Sequence, residues 1–254
     1  MINENLHKKA VALDRVKHRN LKLDLGARDL GAVSGLNAFF VAGTEFGDAC
    51  KEFPVVWVAA GKDDAGKPQV APIAVFGLQQ GKNLCVDANG WRTRYVPAVL
   101  RLYPFALARV APTEMVVCVD ESWVGLGAQG QALFNDAGEP SEFTLNVQKQ
   151  LETFEGEVER TRIAGALLVE KGLLRDMRFD ATLPDGSKLT VDGFLTVDEE
   201  KLGKLSDAEV VALTRNGLMG LIHAHQISLG NMARLVEWHV ERLAAEKAAA
   251  APAA

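Results

Sequence analysis

The sequence predicts an α+β fold, with mainly antiparallel sheet in the first half and a long helix, a hairpin and a central C-terminal helix in the second. Three observations lead to this prediction. Apolar, β-branched runs separated by turns fill residues 37–120. Apolar residues recur at helical spacing after a turn cluster at 135–141. A second strand pair and a strongly apolar helical segment follow.

The first half alternates short strands with turns. Residues 11–14 predict a short strand close to the N-terminus. The apolar runs at 53–60 and 69–78 flank a turn rich in Gly and Asp, so they predict a β-hairpin. Pro72 lies inside the second run. Because proline cannot donate to a strand ladder, it favours an edge or bulge position for that strand.

Proline also delimits a short helix between the later strands of the first half. Pro97 fits the first turn of a helix and Pro104 ends it, which predicts about two turns. A turn is predicted at Pro112. The remaining strands of this half are predicted at 83–87, 105–110 and 114–120.

A long helix is predicted to follow Ser141, which fits an N-cap. Two glycines inside this helix, Gly156 and Gly165, are expected to weaken or bend it. The apolar stripe that predicts the helix consists of Phe143, Val147, Leu151, Phe154 and Val158.

A second hairpin and the C-terminal helices complete the chain. Residues 177–183 and 188–197 flank a Pro-Asp-Gly-Ser turn, a strong hairpin signal. Asp198 is predicted to cap a short helix. Ser-Asp-Ala-Glu at 206–209 is a capping box that opens the next helix. Gly217 is expected to separate that helix from a final one over 218–245.

The segments together predict one domain over residues 1–247. A subdivision near 136–141 is the alternative, because the clearest turn cluster of the chain lies there. The Ala-rich tail, 248–254, is predicted to be disordered.

Composition excludes several classes of function. The net charge of −5 gives no basic surplus, so nucleic-acid binding is not expected. No apolar stretch is long enough to span a bilayer. The polar N-terminus lacks the apolar core of a signal peptide, so a cytoplasmic location is expected. Three widely spaced cysteines give no disulfide or metal pattern, and Cys85 and Cys118 fit buried positions.

The last predicted helix is apolar over most of its circumference, and His225 lies in the middle of the apolar side. One interpretation makes His225 a catalytic base or a ligand. The favoured interpretation is a neutral core histidine, because no serine, cysteine or carboxylate partner can be assigned. His223 and His225 are two residues apart, so they cannot form the i, i+4 pair of a helical zinc site, and no metal is predicted.

An arginine- and tyrosine-rich block is the most suggestive local cluster. Its forked guanidinium groups suit a carboxylate or phosphate, and a predicted helix start lies next to them. In the alternative interpretation these arginines pair with nearby acids and cover apolar surface. The ligand-binding candidates in this Arg/Tyr block are Arg92, Arg94, Tyr95, Arg101 and Tyr103. Two residues of the last predicted helix, His225 and Asn231, complete the set of candidates.

No cofactor is predicted. Residues 125–130 fit GxGxxG by letter but lack the strand–turn–helix context of a dinucleotide site. The sequence has no GxSxG, P-loop or HExxH motif.

The order of segments resembles the SapC family along nearly the whole chain. The most distinctive matches are RYVPAVLR at 94–101 and HAHQISLGN at 223–231. Further segments that resemble the family lie at 13–18, 52–56, 103–107, 133–140 and 197–202. The family is named for bacterial surface-array (S-layer) loci, and the resemblance carries over no catalytic residues.

These observations favour a non-catalytic accessory or binding protein that acts through a protein partner or a small anionic ligand. One alternative is an enzyme whose unfamiliar active site uses the Arg/Tyr block and His225. Another is a component associated with the surface array. A homo-oligomer is left open.

Overall fold

The computed structural model describes residues 2–27, 30–111 and 114–250. The strands in chain order are β1 Ala10–Ala12, β2 Lys22–Leu23, β3 Ala38–Phe40, β4 Val55–Lys62, β5 Pro68–Val75, β6 Val86–Asp87, β7 Gly90–Trp91, β8 Phe105–Ala111, β9 Glu114–Asp120, β10 Leu126–Gly127, β11 Gln131–Ala132, β12 Leu174–Thr182 and β13 Lys188–Val197. The helices are α1 Gly31–Ser34, α2 Phe46–Glu52, α3 Ala98–Leu102, α4 Glu142–Glu170, α5 Glu199–Leu202, α6 Asp207–Arg215, α7 Leu218–Ser228 and α8 Asn231–Ala250. The sheets are antiparallel, which confirms the predicted α+β class.

The chain divides into two compact units that are discontinuous in sequence. The first unit comprises Met1–Ser34 and Ala98–Glu157, and the second comprises Gly35–Pro97 and Val158–Ala254. The turn cluster at 135–141 therefore lies within the first unit. Of the tail, residues 248–250 belong to α8, and 251–254 lie outside the described residues.

The first unit contains two small sheets, ordered β1-β9-β8 and β10-β2-β11. Ser141 caps α4 as predicted, because its Oγ accepts a hydrogen bond from the N–H of Thr144 at 3.2 Å. The turn predicted at Pro112 lies outside the described residues. The core of this unit is formed by Leu23, Phe105, Leu107, Val119, Leu133, Phe134, Val147 and Leu151.

The second unit is built on a five-stranded sheet ordered β12-β13-β4-β5-β3. Both predicted hairpins are confirmed, as β4–β5 and β12–β13. The edge or bulge position expected for the strand of Pro72 is wrong. β3 pairs with the other side of β5, and the irregularity in the β4–β5 pairing lies between Ala59 and Lys62, away from the partner of Pro72, Trp57. The pairing with β3 covers only Ile73–Val75, so Pro72 lies just beyond it and its missing N–H removes no β3 ladder bond.

Helix caps in the second unit follow the sequence closely. Asp198 caps α5, and Ser206 with Glu209 forms the capping box of α6. Gly217 separates α6 from α7 with a φ of +84°, a conformation that favours glycine.

The prediction of one final helix over 218–245 is wrong. The helix breaks between Ser228 and Asn231, where the N–H groups of Leu229, Gly230 and Met232 each bond the carbonyl three residues earlier. This tight turn separates α7 from α8.

Candidate functional site

Four polar side chains at three-residue intervals on α7 and α8 bind the chain segment 50–55. They are His225, Ser228, Asn231 and Arg234, and we call them the backbone-binding row. Successive members of the row are each rotated by about 60° on a helix, and α7 ends at Ser228. The packing of both helices on residues 50–55, rather than one helix face, therefore brings the four side chains to one target. The target segment contains the end of α2 and the start of β4.

His225 is fully buried and bridges two strands. Its Nδ1 lies 2.7 Å from the carbonyl oxygen of Val55, and its Nε2 lies 3.2 Å from the backbone nitrogen of Val197. Within the described residues, β13 and β4 share one ladder pair, Leu195 with Trp57. In that register Val197 would lie opposite Val55, two residues further along each strand. The imidazole therefore stands where the direct ladder has ended.

The partners of His225 fix its tautomer. A carbonyl oxygen only accepts, so Nδ1 carries the proton and donates to Val55. A backbone N–H only donates, so Nε2 is the unprotonated acceptor from Val197, and it also lies 3.0 Å from the hydroxyl of Thr196. Burial lowers the pKa of His225, which keeps the ring neutral. Neither ring nitrogen is left over for a substrate or a metal.

The rest of the row binds backbone groups that helix and strand ends leave unpaired. The Oγ of Ser228 accepts from the N–H of Val55 at 2.9 Å. The amide of Asn231 donates to the carbonyls of Cys50 and Phe53 at 2.8 and 3.1 Å. These carbonyls lie at the C-terminal end of α2, where no further helical N–H can reach them. Asn231 thus caps α2 from another part of the chain.

The predicted anion-binding arginine Arg92 is already neutralised. Its guanidinium lies 4.3 Å from the ring centre of Trp238, and it pairs with Glu241 at 2.9 Å and Asp87 at 3.8 Å. These residues and Arg242 line a cavity of about 380 Å³. Two arginines face two acids in this cavity, so its wall has no net positive charge.

Tyr95 and Arg94, next in sequence, have different surroundings. The hydroxyl of Tyr95 donates to Oε1 of the buried Glu45 at 2.7 Å, and Oε2 of Glu45 accepts from the N–H of Ala42 at 2.8 Å. Arg94 is exposed, and no hydrogen bond or ion pair joins it to the described residues. Arg94 therefore retains all its donors.

Arg101 and Tyr103 belong to the first unit, whereas the other five candidates belong to the second. Arg101 lies exposed in the last turn of α3. The hydroxyl of Tyr103 donates to Oδ2 of Asp120 at 3.2 Å, and its ring lies 5.6 Å from that of His7. Tyr103 therefore contributes to a polar cluster inside the first unit.

Asp120 is the centre of that cluster and is fully buried. Its carboxylate accepts the N–H groups of Lys8, Lys9 and Ser122 at 2.8–3.0 Å. Burial alone would raise the pKa of Asp120, but the hydrogen bonds from Ser122, Lys9 and Lys8 outweigh it and hold the pKa below its usual value. Asp120 thus anchors the N-terminal segment to the end of β9.

The neighbouring Glu121 collects the basic groups of the N-terminal segment. Hydrogen bonds from Lys17, then Lys9 and His18, lower the pKa of Glu121 to about 2. Nδ1 of His18 accepts from the N–H of Asp14 at 2.9 Å, so its Nε2 carries the proton that faces Glu121 at 3.1 Å. Both acids, Asp120 and Glu121, therefore already bind donors from the protein's own N-terminal segment.

Two features of the described residues concern metal and dinucleotide binding. Over 2–27, 30–111 and 114–250, no group of three or more His, Cys, Asp or Glu side chains could hold a metal ion. The GxGxxG-like stretch at 125–130 contributes β10 to a small sheet with β2. It opens no helix, so it lacks the geometry of a dinucleotide loop.

An open groove of about 1100 Å³ lies between α5, α6 and α7. The apolar residues that line it include Leu202, Val210 and Met219. Gly220 also lines it and leaves open space where a side chain would stand. Its polar side is a short chain of contacts. Nε2 of Gln226 lies 3.5 Å from Oε1 of Glu199, and Nδ1 of His223 lies 3.3 Å from Oε1 of Gln226. No local sequence pattern predicts this groove, because it depends on how three helices pack.

Comparison with known proteins gives a family but no activity. The SapC family model matches residues 13–235. No curated protein and no solved structure matches the chain. No helix in the described part of the chain combines the length and the apolar character needed to cross a membrane.

Proposed function

The chain belongs to the SapC family, and from the geometry above we propose that it is a non-catalytic accessory or binding protein that acts through a protein partner. The observation that carries the proposal is the state of His225. Both ring nitrogens are engaged by the backbone of β4 and β13, in a fully buried position. A general base needs a nitrogen within reach of substrate.

The other candidate residues support the same proposal. Asn231 is occupied by the carbonyls of α2, Tyr95 by Glu45 and Tyr103 by Asp120. Arg92 faces two carboxylates. Side chains with these partners serve the folded structure, and the surface left for function is the exposed one.

A small anionic ligand is the second form of binding that we propose to test, because of Arg94. This arginine is exposed and retains all its donors among the described residues. A single solvated guanidinium binds a small anion weakly, since it lacks a second cation and a desolvated wall. A protein partner is therefore the favoured ligand.

The test is a binding experiment paired with a turnover experiment. Purified chain is cross-linked in an extract of its native host, the partner is identified, and the complex is reconstituted from two purified proteins. The same chain is incubated with the host metabolite pool, which is followed by mass spectrometry. We expect a stoichiometric complex and no turnover.

Turnover of a metabolite that is abolished in His225→Gln or Arg94→Ala would contradict the proposal and favour the enzyme alternative. Fractionation of host cells tests the location. We propose the cytoplasm, and recovery of the chain with the surface array would instead support the surface-array alternative.

A further inference from the structure

We propose that the groove between α5, α6 and α7 is the docking site for a short amphipathic helix of a partner protein, which places a lysine or arginine beside Glu199. This inference rests on the proposed function, because it names the surface through which a protein partner would bind. The groove belongs wholly to the second unit.

The size of the groove favours a peptide segment over a small molecule. At about 1100 Å³ it exceeds the usual 300–1,000 Å³ of small-molecule pockets, and it is open to solvent. A small ligand would remain largely exposed in such a groove. A helix of two or three turns could instead bury one face and leave the other in solvent.

All three helices contribute apolar side chains to the groove. Leu202, Val210 and Met219 present partly exposed side chains from three different elements. On α7, Ile227 follows His223 by one turn, and its side chain is 69% exposed. Apolar residues exposed on adjoining elements characterise partner surfaces more than isolated exposed residues do.

Glycine at position 220 allows a partner to approach the backbone of α7. A Cβ built at Gly220 would have no atom within 4 Å, apart from its own helix backbone and chain neighbours. The space above this turn of α7 is therefore not filled by the protein's own side chains. The groove is bounded by helices and offers no strand edge, so recognition relies on side-chain packing.

The charge of the groove selects the partner. Glu199 is the one lining residue, among those described, with a formal charge at neutral pH when histidine is neutral. Its Oε1 faces Gln226, and no contact within the described chain engages its Oε2. A lysine or arginine at the edge of an apolar helix face would complement Glu199, whereas an acidic residue would be repelled.

The experiment uses the full chain and three helical peptides that share one apolar face and differ at a single flanking position, which is Lys, Gln or Glu. Binding is measured by fluorescence anisotropy. We expect the Lys peptide to bind tighter than the Gln peptide, and the Gln peptide tighter than the Glu peptide, by about two- to fivefold per step. In Glu199→Lys the order should reverse.

Gly220→Leu should weaken all three peptides at least about tenfold, because leucine fills the groove. Gly156→Leu in α4 is the matched control, since its Cβ also meets nothing within 4 Å and it lies outside the groove. Binding that survives Gly220→Leu, or a charge order unchanged in Glu199→Lys, would overturn the inference.

The native partner separates this inference from the proposed function. If the reconstituted host complex is lost in Gly220→Leu and kept in Gly156→Leu, the result supports both the proposed function and the docking site. If the complex is kept in both variants, the protein is a binding protein that uses another surface, and the inference fails alone. If the chain alone forms a dimer that Gly220→Leu dissociates, the occupant is a second copy, which also contradicts the inference.

Discussion

Replacement of His225 tests the role of the backbone-binding row most directly. In His225→Leu the carbonyl of Val55 loses its short hydrogen bond and the N–H of Val197 loses its acceptor, and both groups stay buried. A buried polar group without a partner costs about 1–3 kcal/mol, so the free energy of unfolding should fall by about 2–6 kcal/mol. Ser228 stands 3.2 Å from the Val55 carbonyl and can offset part of this loss.

Two conservative variants divide the effect of His225 between its nitrogens. Asparagine can place an amide donor near the position of Nδ1, and glutamine can place an oxygen acceptor near that of Nε2. His225→Asn and His225→Gln should therefore each lose about half as much as His225→Leu. Urea unfolding followed by circular dichroism measures this, with the exposed His223→Ala as control. Wild-type stability in His225→Leu would refute the reasoning.

The same variants should change the acid dependence of stability. The pKa of His225 is lowered by burial in the folded protein, so below the unfolded value of about 6.5 the unfolded chain binds a proton that the folded chain does not. The stability contributed by neutral His225 is therefore fully present above about pH 6.5. It is lost as pH falls from there through the folded-state pKa, by at most about 1.4 kcal/mol per pH unit. The difference between wild type and His225→Leu should shrink between pH 7.5 and pH 5.

Three further predictions concern other positions. Gly165→Ala should lower the free energy of unfolding by about 1–3 kcal/mol, because the new Cβ would stand 2.8 Å from the Val70 carbonyl oxygen. Gly156→Ala should instead stabilise α4 by up to about 1 kcal/mol, because its Cβ would meet no atom within 4 Å. Equal melting temperatures of the two variants would contradict this prediction. Asp120→Asn should lower the free energy of unfolding by about 2–4 kcal/mol at pH 7. Wild type should lose the stability that ionised Asp120 contributes as pH falls below about 3.8 and through its lowered folded-state pKa, and the variant should lack this loss. The same pH profile in both proteins would count against this prediction. Burial raises the pKa of Cys85 to about 12, so at pH 8 a thiol reagent should label Cys50 before Cys85. Mass spectrometry of the labelled, folded protein measures the order, and earlier labelling of Cys85 would contradict its buried position.

Local signals in the sequence predicted local structure well. The two hairpins, the capping box of α6 and the glycine before α7 follow from residues that lie next to each other in the chain. Each depends on turn geometry or on a cap that a few residues decide. The SapC family, too, followed from short segments in order, and the family match over 13–235 confirms it.

The elements that sequence reading missed depend on contacts between distant segments. The break between α7 and α8 carries no proline, and its glycine alone is a weak signal. Asn231 reaches the carbonyls of α2 across 178 or more positions of sequence separation. The pairing of β3 with β5, which makes β5 an inner strand, likewise joins residues far apart in the chain. No local pattern specifies such contacts.

His225 was correctly placed on a buried helix, but the use of the candidate residues could not be predicted. Sequence favoured a core interpretation for His225, and its burial and hydrogen bonds support that interpretation. Ser228 and Arg234, which complete the row, were not identified. Sequence spacing alone does not reveal them, because a continuous helix would place Arg234 about 180° from His225 and the helix ends at Ser228.

The bridging imidazole also has a consequence for the order in which the protein assembles. The β4–β5 hairpin leaves the ribosome early, but direct pairing to the β12–β13 hairpin rests on Leu195 and Trp57 alone. The link between the two hairpins is completed by His225, 170 residues after Val55. Joining such distant segments is slow because the loop must close first. We therefore expect nascent chains that end before α7 to hold two separate hairpins, and hydrogen exchange at Val55 and Val197 should become slow only after the last helices have emerged.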